Sequence, residues 1–394
     1  MNILYSYSNC SDKKYKELFG NGQKFVLRAD QKYHSLLIKG FAENNVNVRC
    51  LSSLPISRQV KKQLFINEPD EFEENISYHY YKSLNLPVLR QISVFCAGFF
   101  NVFFRGRKNS HLICDYQNLA NAYGTLLAAK IKKIPAIVIV MDLPGFLSEN
   151  KFVQGVYTGT FGLADGFILL TEQMNKIVNK KNRPYIIIEG IADGSASPSK
   201  DICRLKETIG KDIIIYAGSL ARIYGIEALA KGFLKAKLHN AELWIYGDGD
   251  YRKEIEKICR NNKNVVYKGV CSNEEIVEIE KRASLLVNPR PAAPDYTKYS
   301  FPSKTIEYMA SGTPVLTTKL PGIPKEYFDY IYTFEKDDPD GICEALKKVF
   351  SFSKQDRMKK GRSAAEFVLS KKSNSVQSKK IINFIEKRLK NDKK

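Results

Sequence analysis

Short apolar runs alternate with amphipathic segments along the whole chain. Strands buried on both faces read as continuous apolar runs, and helices connect neighbouring parallel strands. The pattern therefore predicts an α/β fold with one parallel sheet in each half of the chain. The predicted strands include the opening MNILYSYSNC, then HLICDY, PAIVIVMD, GFILLT and PYIIIEG in the first half, and DIIIYAG, ELWIYGDG, NVVYKG, SLLVNPR and TPVLTT in the second.

The two predicted sheets belong to two domains. A chain of 394 residues can form two domains of roughly 150 to 200 residues, each with its own core. The segment EGIADGSASPSKD between them is rich in Gly, Ser, Ala and Pro, which is typical of a hinge. We expect an N-terminal Rossmann-like domain over 1–192, a hinge over 193–205, a C-terminal Rossmann-like domain over 206–370 and a C-terminal helix over 371–394 that packs back toward the N-terminal domain.

The stretch YSFPSKTIEYMASGTPVL reads as a loop, a helix, a glycine stop and a strand. Pro302 suits the first helical turn, Ser303 can cap free N–H groups, and Gly312 can take the left-handed conformation that ends a helix. A helix N-terminus carries partial positive charge, and Lys304 adds a full one. The loop before this helix is therefore predicted to hold a phosphate, although Lys304 can also be a solvated surface residue.

Three further loops follow strands of the second half, where ligands bind in open parallel sheets. Small Gly218 and Ser219 allow close backbone approach, and Arg222 can reach a phosphate. Asp248-Gly249-Asp250 follows the next strand, Val270 follows the third, and Arg290 begins the long loop before Ser303. Such converging loops indicate a nucleotide site.

Charge and cysteine content narrow the partners and the compartment. The 62 Lys and Arg residues exceed the 42 Asp and Glu residues, giving a net charge of +20 that favours anionic partners. The 8 cysteines include no Cys-x-x-Cys pair, which fits a reducing cytosol, and the N-terminus lacks the basic flank of a signal peptide. We expect a cytoplasmic protein.

The segment LPVLRQISVFCAGFFNVFFRGRKNS is unusually aromatic. Its apolar core of about 13 residues is shorter than the ~20 needed to span a bilayer, so we expect that it does not cross one. It is either a buried helix or a helix lying on the inner face of the cytoplasmic membrane, which would make the protein peripheral. The candidate membrane residues are Phe99, Phe100, Phe103, Phe104, Arg105 and Arg107.

Four blocks of the second half carry a resemblance to a known family. They are YAGSLARIYGIEAL, ELWIYGDGDYRKEIE, VVYKGVCSNEEIVEIEKRASLLVNPR and SFPSKTIEYMASGTPVLTT, which have the order and spacing of the donor-binding domain of bacterial retaining glycosyltransferases with the GT-B fold. The first half resembles that family only weakly. The resemblance implies two Rossmann-like domains facing each other across a crevice, and transfer of a sugar from a nucleotide-diphosphate sugar to a glycan or lipid-diphosphate-linked acceptor, with no other cofactor.

The chain departs from that family at its usual phosphate-binding positions. The family commonly has a Glu where this chain has Tyr299, and Arg and Lys where it has Ser219 and Tyr224. Pro-Ser-Lys before the helix resembles the family branch associated with capsule and exopolysaccharide assembly, which makes Arg222 and Lys304 a relocated diphosphate clamp. The resemblance implies a donor site of Gly218, Ser219, Tyr224, Gly247, Gly249, Val270, Pro302, Ser303, Thr305 and Glu307, with Glu307 on the ribose hydroxyls.

The first half is expected to bind the acceptor. Asp142 ends a strand at the mouth of the expected crevice, so it joins Arg222 and Lys304 in the candidate catalytic set, although it can also cap the next turn. Asn21-Gly22 and Arg28 are candidates for the acceptor loop. His34 and His79 lie among aromatic residues and are predicted to be packed.

Metal binding and two other functions fit the sequence less well. Asp248-Gly249-Asp250 has the spacing of a metal-binding motif but falls where the family has its Gly-x-Gly turn, so we expect no metal. A sugar-nucleotide epimerase of the same fold is an alternative function. Nucleic-acid binding is disfavoured because the basic residues are scattered and no nucleic-acid-binding motif is present.

Overall fold

The computed structural model describes most of the chain. The described residues are 1–20, 28–56, 58, 60–143, 150–198, 209–293 and 295–389, without the side chains of residues 152, 295, 388 and 389.

The described residues contain sixteen strands, and every strand predicted from the apolar runs is confirmed. In chain order they are β1 (Asn2–Tyr7), β2 (Asn47–Ser52), β3 (Phe65–Ile66), β4 (Glu71–Glu73), β5 (Ile76–Tyr80), β6 (Ser83–Leu84), β7 (Ser110–Asp115), β8 (Ala136–Val140), β9 (Gly166–Leu169), β10 (Tyr185–Ile187), β11 (Asp212–Ala217), β12 (Ala241–Tyr246), β13 (Val265–Gly269), β14 (Leu285–Asn288), β15 (Val315–Thr318) and β16 (Tyr332–Phe334).

Helices of seven or more residues connect most of these strands. They are α1 (Asp12–Phe19), α2 (Ala29–Glu43), α3 (Pro87–Arg105), α4 (Leu119–Lys132), α5 (Lys151–Phe161), α6 (Glu172–Val178), α7 (Ile226–Ala236), α8 (Arg252–Asn261), α9 (Asn273–Glu280), α10 (Ser303–Ala310), α11 (Pro339–Ser351), α12 (Lys354–Lys371) and α13 (Asn374–Phe384).

The chain forms two compact units. One contains the described residues up to Ile191 together with those from Asn374, and the other contains the described residues of Ala192–Ser373. The C-terminal segment belongs to the first unit because α13 packs on α2. There the Ser378 hydroxyl donates to the Leu37 carbonyl at 3.1 Å, and the Asn374 amide donates to Glu43 at 2.7 Å.

The first unit is built on an eight-stranded sheet in the order β10-β9-β8-β7-β1-β2-β5-β4. All its strands are parallel except β4, which pairs antiparallel with β5. The chain leaves β1 in one direction toward β2 and later returns to its other side at β7. The carboxyl ends of β1 and β7 therefore flank the switch point of this sheet.

The second unit has a six-stranded parallel sheet in the order β13-β12-β11-β14-β15-β16. Buried side chains cover both faces, with Trp244 and Met309 in one cluster and Phe233 and Leu243 in the other. This confirms the prediction of a parallel sheet buried on both sides. The strand order reverses between β11 and β14, and such a reversal opens a crevice at the carboxyl ends of the two strands.

Helix α3 is longer than the apolar core of its sequence indicated. It runs for 19 residues, and of the described helices it is the one long and apolar enough to cross a membrane by length and composition. The expectation that this segment is too short was wrong, because the helix already begins at Pro87. Only Val94, Gly98 and Val102 are buried.

Candidate functional site

The short helix α10 starts at the carboxyl edge of the second sheet. Pro302 is extended and precedes the helix, and no side chain caps the first turn, so the predictions that Pro302 lies inside the helix and that Ser303 caps it were wrong. Ser303 is instead the first helical residue, which leaves its side chain exposed and the first amides without a side-chain acceptor. Gly312 has φ of 81° just beyond the helix, as predicted.

Lys304 in the first turn of α10 lies between two carboxylates. Its Nζ is 2.5 Å from Glu307 Oε1 and 3.5 Å from Oε1 of the fully buried Glu280 at the end of α9. Burial alone would lower the pKa of Lys304, but the charges of Glu280 and Glu307 outweigh it and hold the pKa above its usual value. From the sequence, Lys304 was expected to bind the diphosphate and Glu307 the ribose, as separate groups. The structure instead joins the two side chains in one ion-pair cluster.

Tyr308 attaches this helix to the centre of the sheet. Its hydroxyl accepts a hydrogen bond from the Ala217 amide at 2.9 Å and donates to the Ala217 carbonyl at 3.1 Å. Because Ala217 is the last residue of β11, the Lys304 cluster is held beside the switch point. The side chain of Thr305, a predicted donor-binding residue, is fully buried. Its hydroxyl accepts a hydrogen bond from the side-chain amide of Asn288 at 3.4 Å.

The turn after β11 contains four of the predicted site residues. Gly218 donates to the Tyr246 carbonyl at 3.1 Å, and the carbonyl of the exposed Ser219 accepts from the Tyr216 hydroxyl at 2.7 Å. Arg222 opens a single 3-10 turn that contains Tyr224. The Arg222 side chain is 73% exposed, and its ion pair with Glu227 is long, at 3.7 Å. The charge of Arg222 can therefore reorient at little cost.

The loop after β12 packs directly on that turn. Leu220 donates to the Asp248 carbonyl and Tyr251 donates to the Leu220 carbonyl, each at 2.9 Å. The acidic side chains of this loop turn toward backbone amides: Asp248 accepts from Gly249 at 3.0 Å, and Asp250 accepts from Arg222 at 3.2 Å. Among the described residues, no group of three or more His, Cys, Asp and Glu side chains is arranged to hold a metal ion. Of the other predicted donor residues, Gly247 begins this loop and the half-buried Val270 follows β13.

Arg290 follows β14 on the other side of the switch point. Its guanidinium carbon lies 5.5 Å from the ring centre of Tyr224 and 5.2 Å from that of Tyr296. Its Nε atom is buried and has no hydrogen-bond partner. The sequence placed Arg290 in a candidate loop. It did not indicate that Arg290 contacts these two rings, because Tyr224 lies far away along the chain.

In the first unit, the described candidates for acceptor binding lie on separate elements. Asp142 is exposed beyond β8, and its carboxylate accepts from the Leu143 amide at 2.8 Å. Arg28 precedes α2 and forms a two-point ion pair with Asp30, at 3.0 Å and 2.8 Å. Asn21 and Gly22 lie outside the described residues.

The structure confirms that His34 is packed, and it identifies a polar residue that the sequence did not. His34 is fully buried among Tyr5, Tyr7 and Tyr33, with Nδ1 2.7 Å from the Tyr5 hydroxyl. Asn9, just beyond β1, is 1% exposed, and neither polar atom of its side chain has a hydrogen-bond partner. Asn9 therefore presents an unsatisfied amide at the switch point of the first sheet.

Residues 211–351, which include most of the second unit, match the family model described as Glycosyl transferases group 1. An uncharacterized glycosyltransferase, MJ1607, from Methanocaldococcus jannaschii is 31% identical over 146 residues, which make up 35% of this chain and 36% of that protein. The chain thus matches about a third of the length of this curated relative.

Solved structures match nearly the whole chain. Sucrose-phosphate synthase (tll1590) from Thermosynechococcus elongatus has a TM-score of 0.70 at 14% identity, and the match covers 98% of this chain and 98% of that one. Alr3699/HepE from Anabaena, in complex with UDP, has a TM-score of 0.67 at 14% identity over 98% of this chain and 100% of that one. At this identity the likeness establishes the fold, which is the GT-B fold of two α/β domains.

Proposed function

We propose that this chain is a glycosyltransferase that moves a sugar from a nucleotide-diphosphate sugar to a glycan acceptor. The observation that carries the proposal is the Lys304–Glu307 pair, held beside the switch point of a sheet with Rossmann strand order. The family match over residues 211–351 and the UDP bound in the Anabaena structure support the choice of donor. A carboxylate such as Glu307 suits two ribose hydroxyls, which are hydrogen-bond donors.

The chemistry that we propose needs no metal. When the bond between the sugar and the diphosphate breaks, negative charge develops on the leaving diphosphate, and fixed cations and backbone amides can stabilise it. The uncapped first turn of α10 supplies such amides, and the exposed Arg222 on the same edge of the sheet can turn its charge toward the diphosphate. We retain Asp142, exposed beyond β8, as the candidate for orienting the acceptor hydroxyl, and a retaining outcome as the expectation from the family resemblance.

An activity assay distinguishes this proposal from its alternatives. The purified chain is incubated with a panel of UDP-, GDP-, ADP- and dTDP-sugars, with and without a lipid-diphosphate-linked sugar, and released nucleoside diphosphate is measured. We expect release from one donor that rises with acceptor. Conversion of the donor to its epimer, without net release of nucleoside diphosphate, would favour a sugar-nucleotide epimerase instead.

Glu307→Gln is expected to weaken nucleoside-diphosphate binding by about 1–3 kcal/mol, because the amide makes weaker hydrogen bonds to the ribose hydroxyls than the carboxylate does. Calorimetric titration of both proteins with the preferred nucleoside diphosphate measures the change. Glu326→Gln is the matched control, since Glu326 also pairs with a lysine of the second unit, Lys372, at 2.7 Å. Unchanged affinity in Glu307→Gln would leave Glu307 only the role of holding Lys304.

We also propose that the first unit attaches to an anionic membrane surface, where a lipid-linked acceptor would reside. Helices α3 and α4 pack in parallel, since Phe95 stacks on Tyr123 and Lys132 lies over Phe103, 5.4 Å from its ring centre. Their carboxyl ends therefore lie together. Phe100 and Phe104 are 51% and 75% exposed along α3.

This parallel arrangement gathers the basic residues at one end of an apolar surface. The exposed cations there are Arg105, Arg107, Lys108, Lys130, Lys132 and Lys133. Aromatic side chains beside cations favour binding to anionic lipid headgroups. Phe99 and Phe103 are partly buried and stack on each other, so they contribute less than Phe100 and Phe104 to this surface.

Vesicle binding tests the attachment. We expect the protein to bind vesicles containing phosphatidylglycerol and to lose affinity at high salt, because each basic residue near the surface contributes about 1 kcal/mol. Phe100→Ser/Phe104→Ser should weaken binding about tenfold or more in a sedimentation assay. Phe72→Ser, which removes a 77% exposed phenylalanine from strand β4, is the control. Equal binding by the double variant and this control would place the membrane contact elsewhere.

A further inference from the structure

The guanidinium of Arg290 has the surroundings of a binding group rather than of an ion-pair partner. It lies over the rings of Tyr224 and Tyr296, and none of the ion pairs found in the described part of the chain includes it. Aromatic rings beside a guanidinium hold its plane without using its N–H donors. The buried Nε of Arg290 has no acceptor, and an unsatisfied buried donor of this kind is costly.

The backbone around Arg290 is fixed from both sides. Gly225 has φ of +78°, and a Cβ there would lie 2.1 Å from the Pro289 carbonyl oxygen, so glycine lets the turn with Tyr224 approach the residue before Arg290. Farther along the loop, the Ala292 amide donates to Asp337 at 2.6 Å, and its carbonyl accepts from the Thr297 hydroxyl at 2.9 Å. The arginine is therefore held in place before any ligand arrives.

The other cations at the carboxyl edge of the second sheet are either paired with carboxylates or exposed to solvent. Lys304 is shared between Glu280 and Glu307, so that cluster of three side chains has a net charge of −1 when all three are ionised. Arg222 is mostly exposed and lies near Glu227. Arg290 combines a full positive charge, a fixed plane and an unused buried donor, and a planar two-donor group suits the oxygens of a phosphate.

We propose that Arg290 binds the diphosphate of the nucleotide donor, with Tyr224 and Tyr296 holding its guanidinium in the binding orientation. Arg290 follows β14, next to β11, where the strand order reverses and the phosphates of a nucleotide lie in sheets of this topology. This inference rests on the proposed function, since it assigns a residue to the same donor site. Lys304 then acts as a positioning residue for Glu307.

Calorimetric titration of Arg290→Ala and Arg290→Lys tests the assignment. The probes are UDP, GDP, ADP and dTDP, each compared with its nucleoside. We expect wild type to bind one diphosphate, both variants to bind it about 10- to 100-fold more weakly, and all three proteins to bind the nucleoside equally. Arg290→Lys keeps the charge but loses the two-donor plane. Arg282→Ala, which changes the arginine before the amino end of β14, should bind the diphosphate as wild type does.

The outcomes separate the inference from the proposed function. If wild type binds none of the four diphosphates, the proposed function fails. If wild type binds one and both Arg290 variants bind it equally well, the function stands and the assignment of Arg290 is overturned. Equal losses for diphosphate and nucleoside also overturn it, because they indicate a distorted pocket. Should Arg290→Ala fail to fold by circular dichroism, the ratio of diphosphate to nucleoside affinity in Arg290→Lys decides.

Discussion

Lys304→Ala is expected to lower sugar-transfer turnover by about one to three orders of magnitude. The lysine is 2.5 Å from Glu307 and 3.5 Å from the fully buried Glu280, so its removal leaves two carboxylates at the edge where we propose that the diphosphate binds. Their repulsion opposes the charge that develops on the leaving group, and loss of a preorganised charged group has effects of this size. Steady-state turnover with the preferred donor measures the change.

Lys304→Arg serves as the control for charge, and we expect it to recover part of the lost turnover. Unfolding should also be followed, because the substitution removes the positive charge beside the fully buried Glu280, and removing one partner of such a pair destabilises the native state. If Lys304→Ala is folded at the assay temperature and turns over as fast as wild type, this lysine has no part in transfer.

Gly247→Ala is expected to destabilise the second unit by about 3 kcal/mol or more. Gly247 has φ of +131°, and a Cβ there would lie 1.8 Å from the Gly218 carbonyl oxygen. The substitution therefore adds backbone strain to an overlap with the turn after β11, which has to move. For a unit of this size we expect a fall of roughly 6–12 °C in Tm by calorimetry, together with weaker nucleotide binding.

Gly269→Ala separates the two causes of that effect. Gly269 also has positive φ, at +76°, but a Cβ there would meet nothing within 4 Å. Its alanine variant should lose only the backbone contribution, about 1–2 kcal/mol. If Gly247→Ala cost no more than Gly269→Ala, the loops after β11 and β12 would not be packed as closely as the structure has them.

The sequence predicted the elements of this protein because their signals are local. The buried strand β8 is a continuous run of Ala, Ile and Val, and β11 is centred on three consecutive Ile residues. The stop of α10 at Gly312 follows from one residue's access to positive φ. Local signals also had limits. The length of α3 was underestimated because Arg90, Gln91 and Ser93 interrupt the apolar pattern near its start. Ser303 was misread as a cap because the first helical residue depends on the backbone of Pro302.

The candidate site was predicted in its loops but not in its contacts. The sequence indicated which loops follow the strands of the second sheet, and the structure brings several of them together. It did not indicate that Glu280 shares Lys304 with Glu307, since Glu280 looked like one of several charges on an amphipathic helix. Nor did it indicate Asn9, whose unsatisfied amide is recognised only once its burial is known.

By itself, then, the sequence determined the two α/β halves and their parallel strands, and it indicated the loops that we propose to bind an anion. The tertiary structure decided the strand order, which places β14 beside β11, and with it the environment of Arg290 beside Tyr224 and Tyr296. The physical reason is that helix and strand signals depend on burial and backbone preferences over a few neighbouring residues. A binding site depends instead on distances between side chains far apart in the chain, and these distances are set only when the strands have taken their places in the sheet.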